Sequence, residues 1–191
     1  MPDYIRRYVP GGTFFFTLVT HERRRLFSTS LARSCLREAV LAVQKDYPFE
    51  MVATVLLPEH WHCVWTLPEG DLDYSKRWGL IKSRFSKRWL ASGGRDFGVS
   101  AARSRHRERG VWQKRFWEHA IRNEEDFMRH VNYIHYNPVK HSLARCPHQW
   151  PYSSFRRWVK EGYYREDWLC DCDGRMPTVP DDLRDGPTFG E

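Results

Sequence analysis

Apolar and polar positions along the chain repeat with two periods, and those periods divide it into strands and helices. The run GGTFFFTLVTH, residues 11–21, opens on glycine and continues in aromatic and β-branched residues, which predicts a strand. In STSLARSCLREAVLAVQKDYP, Leu31, Leu36, Val40 and Val43 recur at roughly helical spacing. Ser28 or Ser30 can cap that helix, and Pro48 stops it. FEMVATVLL and WHCVWTLP read as two more strands, hinged at Pro58 and Glu59 and close enough to pair as an antiparallel hairpin. In DLDYSKRWGLIKSRFSKRWLAS, the residues Trp78, Ile81, Phe85 and Trp89 keep one helical face. Lys76, Arg77, Lys82, Arg84, Lys87 and Arg88 cover the rest. Residues 93–110 are polar, glycine-containing and basic, and read as a loop. VWQKRFWEHAI predicts a fourth strand. Asn123 caps a third helix, EEDFMRHVNYIHY, whose positive end carries Glu124, Glu125 and Asp126, and Pro138 is expected to end it.

This order of elements predicts an α+β fold: a mostly antiparallel sheet with helices packed on one face. No internal repeat is present. At 191 residues the chain fits one domain, expected over residues 1–160, with a C-terminal tail over 161–191 whose last fifteen residues or so look disordered. Apolar residues, 41% of the chain, suffice for a core.

Charge narrows the choice of partner more than composition does. Lys and Arg outnumber Asp and Glu by 31 to 24, for a net charge of +7 and a pI near 9.3, which points to a polyanionic partner. No apolar run approaches the roughly 18 residues needed to cross a membrane. The N-terminal stretch MPDYIRRYVPGG lacks the apolar core of a signal peptide, so a cytoplasmic location is expected. Five cysteines, odd in number and irregularly spaced, predict no disulfide framework. Cys170 and Cys172 form a C-x-C without a second pair, so zinc is not expected there.

The stretch LLPEHWHCVWTLPEG holds the candidate chemistry. In a strand, residues i and i+2 point to the same face, about 7 Å apart at Cα. His60 and His62 therefore project together, and Trp61 and Cys63 project into the core on the other side. Two imidazoles at that spacing can converge on one metal ion. A histidine-triad hydrolase wants a third alternating histidine where Val64 stands, and a cupin-type site wants glutamate where Leu67 stands. Two histidines underfill a metal site, so a further ligand must come from elsewhere.

The third helix offers one. At 100° per residue, Phe127, Val131 and Ile134 share the face expected to pack on the sheet. Asp126, His130, Tyr133 and Asn137 fall in a neighbouring sector about 60° wide, so a phenol and a carboxamide rise side by side along one flank. A tyrosine is a poor nucleophile at its free pKa of about 10, and becomes useful against a phosphodiester polarised by a metal. Asn137 can serve as the third ligand. It can equally be a C-terminal cap, because the residue before a proline is disfavoured in helical geometry.

Together LLPEHWHCVW, YIHYNPVKHSLA and WPYSSF resemble the single-tyrosine HUH transposases, specifically the REP-associated tyrosine transposases of bacteria. The resemblance runs from about residue 8 to residue 160 and takes in GGTFFFTLVT, IKSRFSKRW and WQKRFWEHAIRNEEDF. It implies a ferredoxin-like fold with the histidines on a central strand facing the tyrosine helix. It implies that His60 and His62 bind Mg²⁺ or Mn²⁺, completed by the residue four after the tyrosine, here Asn137 where simpler relatives carry glutamine. Tyr133 is implied as the nucleophile, giving a 5′-phosphotyrosine and a free 3′-hydroxyl that can rejoin strands without ATP. The implied partner is single-stranded DNA beside repetitive extragenic palindromes, which fold into hairpins, bound by a monomer or a homodimer.

Basic residues beside aromatics suit phosphates and unpaired bases: Lys82, Arg84, Lys87 and Arg88 on the second helix, Arg103, Arg105 and Arg107 in the loop, and Lys114 and Arg115 beside Phe116 and Trp117 on the fourth strand. WPYSSFRRW is expected to pack structurally, anchored by Trp150 and Phe155. The resemblance also suggests a C-terminal segment folded back near the active site. Two other readings are a non-catalytic single-stranded nucleic-acid-binding protein and a metal hydrolase without a covalent stage.

Overall fold

The computed structural model describes residues 9–98, 109–172, 178–180 and 183. β1 (Thr13–Val19), α1 (Ser30–Asp46), β2 (Glu50–Leu56), β3 (His60–Thr66), α2 (Tyr74–Ala91), β4 (Trp117–Ala120), α3 (Glu124–Lys140) and α4 (Phe155–Lys160) follow in order. The four strands form one antiparallel sheet in the order β2-β3-β1-β4. This is the ferredoxin-like arrangement expected, with the histidine strand in the middle.

The helices, expected on one face, divide between two. Phe14, Phe16, Leu18, Trp61, Cys63 and Trp65 pack under α1 and α2, whereas Phe15, Ala53, Val55 and Val64 pack under α3. The physical reason lies in β1: Phe14, Phe15 and Phe16 are consecutive and all fully buried, so both faces of the strand need a cover.

Local chemistry explains the remaining differences from the pattern. Thr29 caps α1, accepting from the Ala32 amide; Leu31 is exposed, and the inward stripe is Ala32, Cys35, Leu36, Ala39 and Val43. β4 begins only at Trp117, so Lys114 and Arg115 stand in an exposed segment ahead of it rather than on the strand. Arg77 is buried, bidentate on Asp71 (3.0 and 2.6 Å) and donating to the carbonyls of Tyr47, Pro48 and Asp73.

Pro138 does not end α3. Helical geometry continues to Lys140 and closes at Ser142, whose φ is 54°. Ser142 N donates to Val139 O, and Leu143 N to Pro138 O (2.9 and 2.8 Å), a Schellman closure. The missing proline N–H costs one bond in the last turns, and the closure satisfies the carbonyls beyond it.

The WPYSSF segment is structural, as expected. Ser153 bridges Val55, Ser154 exchanges bonds with the Thr54 backbone, and Trp150 Nε1 donates to Leu56 O at 3.0 Å. The segment thereby covers the open edge of β2. The chain past residue 160 stays on the same core: Tyr164 donates to Asn132 Oδ1 at 2.6 Å, and Leu183 is buried. Most of the C-terminal stretch expected to be disordered lies outside the described residues. Among the described residues, no helix is long and apolar enough to cross a membrane.

Two buried histidines outside the metal motif set a pH dependence. Burial holds His130 down to about 4 and His135 down to about 3, against an ordinary 6.5. The folded chain keeps both rings neutral where the unfolded chain would protonate them. Their contribution to stability is complete above about pH 6.5 and is lost as pH falls below it toward 4. The thermal midpoint should therefore drop between pH 7 and pH 4.5 by an amount worth on the order of a few kcal/mol. A His135→Gln chain should show a shallower drop in calorimetry, and a flat midpoint in the parent chain over that range would contradict this account.

Candidate active site

One row across the sheet, Val55–His62–Thr17–Trp117, carries the site on the α3 side. Thr17 is the single hydroxyl in the apolar core of β1, and the β1–β3 register sets it directly opposite His62. Its Oγ1 lies 2.8 Å from His62 Nδ1. Glu59, in the hinge before β3, holds the other ring: its Oε1 is 3.0 Å from His60 Nδ1. That bond, with the nearby His60 and His141 rings, keeps the Glu59 carboxyl below the usual range against the opposing effect of burial.

Each imidazole is thus gripped at Nδ1, and the Nε2 atom of each is buried. His60 and His62 are 1% and 0% exposed, with ring centroids 4.8 Å apart. His60 Nε2 is buried without a hydrogen-bond partner among the described residues. A buried imidazole nitrogen in that state costs free energy unless a ligand takes its lone pair. The donor set fits a divalent ion on this ground.

α3 brings the phenol. The Tyr133 ring stands 5.3 Å from the His62 ring, edge-on at 72°, and Phe15 packs against both, 6.2 Å from Tyr133 and 5.5 Å from His62. Lys140, two turns further along the same flank, donates from Nζ to the Tyr133 hydroxyl at 3.2 Å. Asn137, one turn beyond Tyr133, is fully buried and helical, so it is not the cap that its position before proline allowed. Tyr136 is half-buried against the aromatic cluster under α3.

A second polar group occupies the start of α3. His119, Asp126 and His130 place one ligand atom each within 4.8 Å of the others. Asp126 already accepts from the Arg122 amide and guanidinium and from His119. Burial pushes its carboxyl up, and these bonds outweigh it, holding the group well below the usual range. The arrangement fastens β4 to α3 about two helical turns below Tyr133.

Comparison with known proteins bears on this geometry. The chain is 45% identical over 171 residues to the REP-associated tyrosine transposase of Escherichia coli K12, covering 90% of this chain and 93% of that one. It is 42% identical over 168 residues to a putative REP-associated tyrosine transposase of Haemophilus influenzae, at 88% and 93% coverage. The chain belongs to the REP-associated tyrosine transposases. The solved structure of such a transposase bound to a REP hairpin matches with a TM-score of 0.73 at 41% identity, covering 94% of this chain and 100% of that one. No protein-family model matches the chain. Membership makes this protein an enzyme of the tyrosine transposase type.

Within this transposase fold, not every expected residue reaches the histidine face. Arg84 pairs with Asp46 at 2.7 Å and Arg88 with Glu38 at 2.5 Å, so these cations bind α2 to α1 on the opposite face of the sheet. Lys82 donates to the Gln113 and Lys114 carbonyls, and Lys87 is exposed on that same far helix. Arg103, Arg105 and Arg107 lie outside the described residues. Lys114 and Arg115 are placed better: Gln113 N donates to Val19 O, and Trp117 pairs with Thr17, so the segment runs along the sheet edge level with His60 and His62. Glu59, Thr17 and Lys140 are the site residues that pattern reading missed. Each left a signal: a carboxylate adjoining H-x-H, a lone hydroxyl in a buried strand, and a lysine seven residues after the tyrosine.

Proposed function

We propose that this transposase cleaves and rejoins single-stranded DNA beside REP-type hairpins through a covalent bond to Tyr133. The observation that carries the reading is the placement of the Tyr133 phenol against His62, with both imidazoles held at Nδ1. A purely DNA-binding protein does not need a buried His60 Nε2 that lacks a hydrogen-bond partner among the described residues.

His60 and His62 through Nε2, and Asn137 through its carboxamide oxygen, would hold Mg²⁺ or Mn²⁺. When bound, the ion supplies Lewis-acid polarisation of the phosphodiester. The phenol oxygen of Tyr133 attacks phosphorus as its proton departs. The bond from phosphorus to the 3′ oxygen breaks, and that oxygen leaves as a hydroxyl after taking a proton. The product is a 5′-phosphotyrosine, which keeps the phosphodiester energy, so a 3′-hydroxyl can attack it and release the phenol. Lys140 orients the phenol and offsets negative charge at its oxygen. Tyr133 is 1% exposed, so the incoming strand must open this face before reaction. The site of action is the cytoplasm, where chromosomal DNA is found.

Incubation with single-stranded DNA carrying the neighbouring genomic palindrome, with and without Mn²⁺, tests the reading by mass analysis. An adduct on the Tyr133 peptide, formed only with the metal, is expected. Cleavage with no adduct would favour simple hydrolysis.

Lys114 and Arg115 are proposed to hold the DNA backbone at the sheet edge, and Arg103, Arg105 and Arg107, which precede them in sequence, are proposed to add to that contact. Affinity for the hairpin should fall steeply with salt as counterions are released. Neutralising Lys114 and Arg115 to glutamine should lower the slope of log K against log salt by about one each, while Arg84→Gln, whose partner is Asp46, should leave it unchanged. Titrations by anisotropy at several salt concentrations read both, and indifference to salt would remove the nucleic-acid reading.

A further inference from the structure

The cysteines that look irregular in sequence come together in space. Cys146 is buried at the start of the turn Pro147–Gln149, and its sulfur contacts the sulfurs of both Cys170 and Cys172. Cys170 and Cys172 stand 3.3 Å apart at sulfur. His148 places a ring nitrogen within 4.8 Å of the Cys146 and Cys170 sulfurs. Two short pairs, C-x-H and C-x-C, thus meet from opposite ends of a 26-residue loop. Cys35 and Cys63, by contrast, are separate buried thiols of the core.

One sulfur forms one covalent bond to another sulfur. A Cys146–Cys170 disulfide therefore leaves the Cys172 sulfur and the His148 imidazole without a task. Two further contacts give them one. His148 Nδ1 lies 3.2 Å from the Glu166 carbonyl, and since a carbonyl only accepts, Nδ1 carries the proton and Nε2 keeps its lone pair. This is the way a metal-binding imidazole is oriented. Gln149 Nε2 donates to the Cys172 sulfur at 3.2 Å, a contact that favours thiolate over thiol.

We propose that Cys146, His148, Cys170 and Cys172 form a structural Cys₃His zinc site. Tetrahedral zinc with sulfur ligands at about 2.3 Å sets its sulfurs a little under 4 Å apart, so loading the site would spread the three sulfurs, least between Cys170 and Cys172. Loading the site releases three thiol protons and involves no oxidation. Arg145 donates to the Asp171 carboxylate and carbonyl at 2.8 and 2.6 Å, which fastens the residue between Cys170 and Cys172 to the turn that holds Cys146. The site joins the turn after α3 to residues 166–172, and so braces the exit of the helix that carries Tyr133. It is independent of the divalent ion at His60 and His62.

The test uses the full-length protein purified without chelator. Elemental analysis should find one zinc per chain, and exchange with Co²⁺ should give thiolate-to-cobalt charge transfer and tetrahedral bands. The metal should persist in a His60→Ala/His62→Ala chain and in His148→Cys, disappear in Cys170→Ser/Cys172→Ser, and stripping it should lower the thermal midpoint. Should the serine variant fail to fold, the cobalt spectrum of the parent chain decides. A metal-free protein two hydrogens lighter, with Cys146 cross-linked to Cys170, would overturn the proposal, as would zinc lost with the His60 and His62 substitutions.

Discussion

Replacing Tyr133 with phenylalanine is expected to abolish the covalent protein–DNA adduct while metal and hairpin binding stay close to those of the parent chain. The substitution keeps the ring that packs edge-on against His62 and Phe15 and removes only the hydroxyl. The Lys140 ammonium loses one acceptor, but Lys140 is exposed and can turn to water, so the cost to stability should be about 1 kcal/mol or less. Tyr136→Phe should keep substantial activity. Tyr136 lies three residues on, a step of about 60° the other way around the axis, and packs among the apolar side chains under α3. Lys140→Met should fall between the two, slowing adduct formation without preventing it. Mass analysis of single-turnover reactions separates these outcomes. An adduct that survives in Tyr133→Phe and vanishes in Tyr136→Phe would show that the α3 flank facing His62 is not the reactive one.

That flank was legible because helical period and strand period are both local. His60 and His62 share a face by alternation, and Tyr133 and Asn137 share one by the i,i+4 rule, whatever the rest of the fold does. The side of the sheet on which a helix docks is a different kind of fact. An apolar stripe says that α2 and α3 each need a cover, and nothing in either stripe says that they take opposite faces. The runs Phe14–Phe15–Phe16 and Cys63–Val64–Trp65 carried that information, because a strand buried on one side has no reason to be apolar at three successive positions. The α2 cations show the same limit. A row of arginines on a helix looks the same whether it meets phosphates or, like Arg84 and Arg88, the acids of a neighbouring helix. Thr17 becomes a site residue only through a register spanning 45 positions, and Cys146 meets Cys172 across 26. Such contacts follow from the closed fold and not from any window of sequence.

The second large effect is expected at the imidazoles. His60→Ala or His62→Ala should lower cleavage by roughly three orders of magnitude or more, the several kcal/mol of transition-state stabilisation that a Lewis acid supplies, with little change in hairpin affinity. Affinity should come from basic and aromatic contacts along the strand, and neither histidine is needed for those. Both rings are buried, so each substitution also leaves a cavity and should reduce stability by about 1–3 kcal/mol, which calorimetry measures separately. Thr17→Val distinguishes the two consequences. It keeps the His62 ring and nearly the same side-chain volume, but releases Nδ1 from the hydroxyl that orients it. Loss of such an orienting partner typically costs about 10- to 100-fold in metal affinity or activity, so Thr17→Val should need more Mn²⁺ for half-maximal cleavage and recover at high concentration. His62→Ala should not recover at any. If all three chains instead lose hairpin binding and cleavage in equal proportion, the histidines hold the sheet to α3 rather than a metal to the DNA.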